Sequence, residues 1–216
     1  DMVVRGEGED IIQQIVTGVP QKDILGLSYR ENGRAVHNEI HDLPDIASIP
    51  FPDRSLRRQD YYWIQQGVRL SRRTFDTILT TRGCPFKCKF CTFSLNPLGQ
   101  KRSYTERPLD SVIEELKTIK ADFVLFSDDN FFTNPKRSEE LCDLIIENKI
   151  KKIFAVQARI DMAKYPKILD KAEKAGFRLF LIGIESQLAS GTKRDVGQVV
   201  DGRHTMGSRR MPARLL

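Results

Sequence analysis

The chain has 216 residues, 40% of them hydrophobic and 30% charged. That length suits one ordinary domain with a true apolar core, and the hydrophobic fraction excludes a disordered chain. The formal net charge is +6, but in the last 30 positions six basic residues face two acidic ones, so the other 186 residues carry only +2. A body that near to neutral excludes a phosphate-tracking groove, and no nucleic-acid partner is expected. No run of about 18 apolar residues is present to span a membrane, and no signal peptide opens the chain. The first residue is Asp1 rather than Met, which suggests a start cut from something longer.

Taken in chain order, Met2–Arg5 reads as a strand, Gly6-Glu7-Gly8-Glu9 as a turn, and the amphipathic run through Val16 as a helix. These glycines do not complete a dinucleotide fingerprint, because the sixth position from Gly6 is Ile11. From Val19 to Arg73 the prolines Pro20, Pro44, Pro50 and Pro52 interrupt the pattern, and the stretch reads as a linker wrapping a neighbouring surface. Four short apolar runs follow: Thr77–Thr80, Phe123–Ser127, Ile153–Gln157 and Leu179–Ile184. Their near-continuous apolar character predicts parallel strands covered on both faces.

Helices alternate with these strands. Leu109, Val112, Ile113, Leu116 and Ile119 recur at helical spacing, with Pro108 in the expected first turn. Asn134 is an N-cap before Pro135, opening a helix that buries Leu141, Leu144 and Ile145. Ile168, Leu169, Ala172 and Ala175 mark a third helix, closed by Gly176. Strand-helix alternation from about Phe75 to Ser186 predicts an α/β fold with a parallel sheet and right-handed crossovers. After Ser186 the pattern stops. Gly191, Gly197, Gly202 and Gly207 punctuate an arginine-rich stretch that reads as an exposed tail or as foreign sequence. The second reading is favoured, since a parallel array should not end on an uncovered edge.

Of four cysteines, three are crowded as Cys84-Pro85-Phe86-Lys87-Cys88-Lys89-Phe90-Cys91, and Cys142 stands apart. Three thiols in eight residues suggest metal ligation in a reducing compartment rather than a disulfide framework. Placed on one loop after the first core strand, they can converge on an iron–sulfur cube and leave one iron open. A structural zinc would need a fourth ligand. The candidates are Cys142, on a helix far along the chain, and three histidines, none of them near the trio. Cys142 reads as a small buried hydrophobe. Lys101-Arg102 and Arg72-Arg73 read as solvated charge runs without a role.

The C-x3-C-x2-C spacing with an aromatic before the last cysteine resembles the signature of the radical S-adenosylmethionine (SAM) enzymes. The flanking Thr80-Thr81-Arg82-Gly83, Arg102-Ser103-Tyr104 and the helix over Ser111–Lys117 resemble the branch that carries an N-terminal cobalamin-binding domain. Val3-Val4-Arg5-Gly6-Glu7-Gly8-Glu9 resembles the end of that domain. Gly26-Leu27-Ser28-Tyr29-Arg30 and Asp42-Leu43-Pro44 resemble the linker that follows. The resemblance covers about residues 2–186. It implies a partial (β/α) barrel of about four units, where the family has six. The organisation expected is a cobalamin-domain remnant over 1–20, a linker over 21–73, a partial radical SAM core over 74–186 and an atypical tail over 187–216.

The resemblance also implies roles. Cys84, Cys88 and Cys91 would bind a [4Fe–4S] cluster whose fourth iron chelates SAM, cleaved to methionine and a 5′-deoxyadenosyl radical. Asp128 and Asp129 would meet the SAM amino group, although Asp and Asn also favour turns. Arg159 would pair the SAM carboxylate or form a salt bridge at the barrel mouth. Glu185 would hold the ribose, or be a structural glutamate with a partner. Phe90 would pack near the adenine, or simply in the core. No Asp-x-His-x-x-Gly motif is present around His37, His41 or His204, so cobalamin is expected only in the full-length parent. That parent is expected to be a cytoplasmic methyltransferase or cyclase acting on a small-molecule substrate. It would take electrons from a donor such as flavodoxin or ferredoxin. The rivals are a transfer-RNA methylthiotransferase-like protein and a non-catalytic iron–sulfur fragment.

Overall fold

A computed structural model describes residues 1–65, 68–86, 88, 91 and 102–183. Its larger part is a five-stranded sheet in the order β10-β9-β8-β5-β4. The strands are β4 (Tyr61–Gln65), β5 (Val68–Ile78), β8 (Phe123–Phe126), β9 (Ile153–Arg159) and β10 (Phe177–Gly183). β5, β8, β9 and β10 pair in parallel, and β4 joins β5 as an antiparallel edge. Each parallel step passes through a helix: α2 (Leu109–Thr118), α3 (Pro135–Glu147) and α4 (Pro166–Ala175). The mixed α/β architecture with a parallel sheet is the one expected, and β4 adds an antiparallel strand to it.

Local chemistry sets the helix ends. The Asn134 side chain accepts a hydrogen bond from the Arg137 N–H, capping α3 ahead of Pro135. Pro108 serves as the N-cap of α2 rather than lying in its first turn. Gly176 ends α4 at φ +108°, and a Cβ there would lie 2.4 Å from the Lys152 carbonyl oxygen. Only glycine meets both conditions. Between sheet and helices lies one apolar cluster that includes Val112, Leu116, Phe126, Leu141, Ile145, Phe154 and Phe177. Phe126 is its hub, with ring centroids 5.2–5.4 Å from those of Phe131, Phe154 and Phe177.

The stretch expected as a linker is largely regular structure. β1 (Met2–Val4), β2 (Leu27–Glu31) and β3 (Arg34–His37) form a separate antiparallel sheet in that order. α1 (Glu9–Val16) packs on it through Ile11, which joins Ile24, Leu27 and Tyr29 in a second, small core. Because β1 pairs with β2, the boundary expected at residue 20 runs through this unit. β5 likewise begins at Val68, ahead of the boundary expected at residue 74. The prolines obscured these strands. The part that does wrap is 54–57, where Arg54 and Arg57 both grip Asp76 of β5. Arg54 also reaches Glu115 of α2, which Arg107 holds from the other side. Burial opposes an ionised Asp76, but bonds from Arg57 and the Thr77 N–H, with the nearby arginine charges, outweigh it and hold its pKa below the usual carboxylate range.

β10 departs from the expectation of burial on both faces. Leu179, Leu181 and Ile182 are 39–46% exposed, β10 being the last strand of the sheet among the described residues. Residues 187–216, with the expected tail, lie outside the described residues. No helix among the described residues is long and apolar enough to cross a membrane.

Candidate functional site

β5 ends at Ile78, and after a short turn the chain forms β6 (Thr81–Arg82), which pairs antiparallel with β7 (Thr105–Glu106). The segment between β6 and β7 carries the three cysteines. Gly83 opens it at φ +81°, and a Cβ there would lie 2.4 Å from the Arg102 carbonyl oxygen. The two stems of the loop therefore touch backbone to backbone, which only glycine allows.

The end of β8 anchors this loop. Asp128 is 1% exposed. Its Oδ1 accepts from the Thr80 and Thr81 N–H groups at 2.6 and 3.1 Å, and its Oδ2 accepts from the Thr80 hydroxyl at 2.5 Å. Burial pushes this carboxyl up, and the Thr80 and Thr81 bonds hold it back. Asp128, expected at the SAM amino group, thus has both oxygens engaged within the protein. Asp129 is half-buried, which raises its pKa, while the Gly83 N–H it accepts works against that rise. Its charge also reaches Cys84, whose thiol is pushed up chiefly by burial.

Arg159 comes from the end of β9. Its backbone N–H donates to Asn130 Oδ1 at 3.3 Å. Its guanidinium lies 3.6 Å from the Phe86 ring centroid, and Nη1 donates to Cys88 Sγ at 3.7 Å. Nε is 3.6 Å from the Asp161 carboxylate, an ion pair at the carboxyl end of β9. Cys84, Cys88 and Cys91 are all partly exposed, and the Cys91 N–H donates to the Cys88 carbonyl at 3.1 Å.

Among the described residues, no three His, Cys, Asp or Glu side chains gather tightly enough to hold one metal ion. The chemistry of the donor set fits an iron–sulfur cluster: three partly exposed thiols on one glycine-opened loop with a guanidinium at one sulfur. Phe90 and Glu185 lie outside the described residues. Cys142 is wholly buried in α3, and burial pushes its thiol up to about 12, as suits an inert apolar residue.

Several contributors were not foreseen. Phe86 lies under Arg159, although only Phe90 was singled out among the aromatics of the motif. Arg102, expected on a solvated face, is 9% exposed and binds Glu7. Arg82, at the other stem, also binds Glu7 and extends to Glu9. Burial opposes an ionised Glu7, but the bonds from Arg102 and Arg82 outweigh it and hold its pKa below the usual range. No sequence pattern could pair residues 75 and 95 positions apart.

Comparison with known proteins follows the same outline. Residues 78–195, more than half of the chain, match the radical SAM superfamily. An uncharacterized methyltransferase of Pyrococcus horikoshii is 31% identical over 195 residues, covering 86% of this chain and 40% of the relative. The anaerobic magnesium-protoporphyrin IX monomethyl ester cyclase of Rubrivivax gelatinosus is 26% identical over 214 residues, covering 91% of this chain and 36% of the relative. The chain therefore spans two fifths or less of the length of these two relatives. In fold it is similar to the cobalamin-dependent S-adenosylmethionine radical enzyme OxsB, with a TM-score of 0.64 and 22% identity over 87% of this chain and 28% of that one.

Proposed function

The chain belongs to the radical SAM superfamily, and on that footing we propose that Cys84, Cys88 and Cys91 hold a [4Fe–4S] cluster with SAM on its fourth iron. The superfamily is one of enzymes that use this cluster and SAM. The chemistry such a cluster supplies when bound is one electron for cleavage of SAM to methionine and a 5′-deoxyadenosyl radical. The parent activity is a cobalamin-dependent methyl transfer or cyclisation on a small-molecule substrate, with electrons from a flavodoxin or ferredoxin in the cytoplasm. The β1–β3 unit with α1 is read as the end of a cobalamin-binding domain and the start of the segment that leads from it, ahead of a core whose sheet begins with β4 and β5.

The observation that supports this reading is the meeting of Gly83, Cys84, Cys88, Asp129 and Arg159 at the carboxyl ends of β5, β8 and β9. Ligand sites in parallel sheets lie at that edge. Arg159 sets a cation against the Cys88 sulfur, and that positive charge suits the SAM carboxylate. Asp129 is the better acceptor for the SAM ammonium, since Asp128 is occupied in fixing the Thr80-Thr81 turn. Phe90 near the adenine and Glu185 on the ribose complete the assignment.

The test is anaerobic reconstitution with iron and sulfide, then SAM and dithionite, with 5′-deoxyadenosine quantified. Formation that is abolished by replacing Cys84, Cys88 and Cys91 with Ala is the expected result. Folded protein that takes up no iron would sink the cluster assignment.

A further inference from the structure

We infer that Glu7, on the N-terminal unit, is a positioning residue for the cluster loop, holding both of its stems at once. This rests on the reading that the three cysteines bind a cluster. Glu7 lies just beyond β1, and its carbonyl oxygen is 3.0 Å from Nε2 of the buried His41. Its two carboxylate oxygens divide between the stems. Oε2 accepts from Arg82 Nη1 at 2.6 Å, one stem. Oε1 accepts from Arg102 Nε at 2.5 Å, and Oε2 also accepts from Arg102 Nη2 at 2.9 Å, the other stem.

The contact with Arg102 is the two-pronged guanidinium–carboxylate pair, which fixes orientation as well as distance. Arg102 is fixed further by the Pro44 carbonyl and by donating to Thr105 Oγ1 at 3.0 Å. Arg82 is two residues before Cys84. Three ties therefore close the loop at its base: the short β6–β7 pairing, the Gly83–Arg102 backbone contact and the Glu7 bridge. The first two are internal to the loop. Glu7 alone of these three comes from a separate sheet with its own core. The N-terminal unit is thereby part of the cluster site's support, and the spacing of the thiols depends on it. Glu9 is the natural comparison, because among the described residues its carboxylate bonds Arg82 and does not reach the other stem.

Groups that orient metal ligands without touching the metal typically carry roughly 10–100-fold in metal affinity. The test compares reconstituted wild type, Glu7→Gln and Glu9→Gln for iron loss to a strong chelator, at a temperature where circular dichroism shows all three folded. The electron paramagnetic resonance spectrum of each reduced cluster is recorded alongside. Glu7→Gln is expected to release iron about tenfold faster with an altered spectrum, and Glu9→Gln to stay within about twofold of wild type. Arg102→Lys keeps the charge but not the two-pronged geometry, and is expected to behave like Glu7→Gln. Wild-type release rates and spectra in both Glu7→Gln and Arg102→Lys would overturn the inference. So would iron loss that only follows unfolding in both. Wild type that binds no cluster would overturn the proposed function, and this inference with it.

Discussion

The parallel sheet and the N-terminal unit are held together by different forces. The sheet encloses a continuous apolar cluster of more than twenty buried residues, with Phe126, Phe154 and Phe177 wholly enclosed. The N-terminal unit has a core of four buried apolar residues, and it meets the cysteine loop through arginine–carboxylate bonds with side chains 9–35% exposed. Apolar burial gives roughly 25 cal/mol per Å² and is not screened by ions, whereas partly exposed ion pairs are modest in energy and screened. The sheet is therefore self-supporting, and the unit beside it is placed by charge geometry.

The largest expected break in that contrast is Phe126→Ala. It removes the hub of the aromatic cluster and should cost about 3–5 kcal/mol in denaturant unfolding of the sheet. Asp76→Asn comes next. It leaves Arg54 and Arg57 facing each other without their shared carboxylate, at a cost of about 3 kcal/mol. Because the folded pKa of Asp76 is depressed, its contribution is fully present above the ordinary carboxylate pKa and is lost as pH falls through the lower folded value. Wild type should thus lose its advantage over Asp76→Asn only under strongly acid conditions, as a pH series of melts would record.

Leu27→Ala should cost about 2–3 kcal/mol, but locally. Hydrogen exchange should rise in β1–β3 while β8 and β9 stay protected. Equal loss of protection in both sheets would show one cooperative unit and remove the contrast. The smallest effect is that of salt. Raising sodium chloride to about 1 M should speed exchange at Gly8–Ile12 and at Arg82–Gly83 by a fewfold without moving the sheet's unfolding midpoint.

Legibility in the sequence follows the same division. Helices α3 and α4 were readable because their signals are local: Asn134 before Pro135, and Gly176 after an apolar stripe. β8 and β9 were readable as continuous apolar runs. The β2–β3 hairpin was hidden among prolines, although Asn32 and Gly33, both at positive φ, are the strongest short hairpin signal there is. β5 was read short because Arg69-Leu70-Ser71-Arg72-Arg73 lacks the apolar character of a buried strand, and its partner β4 is an edge. The cysteine trio was visible as spacing alone. Asp129 and Arg159 could be named but not arranged. Glu7 and Phe86 were missed, because a carboxylate becomes informative only once the fold brings two distant arginines to it.

The Asp128 anchor has a consequence for synthesis. Thr80 emerges 48 residues ahead of the carboxylate that fixes it, and Cys88 emerges 71 residues ahead of Arg159. At about 5–20 residues per second, the cysteine loop leaves the ribosome several seconds before either anchor exists. During that interval the thiols belong to an unanchored segment open to oxidation or to stray metal. The arrangement of the three thiols is therefore complete only after translation of β9, and the nascent chain is the stage at which they are most exposed to such loss.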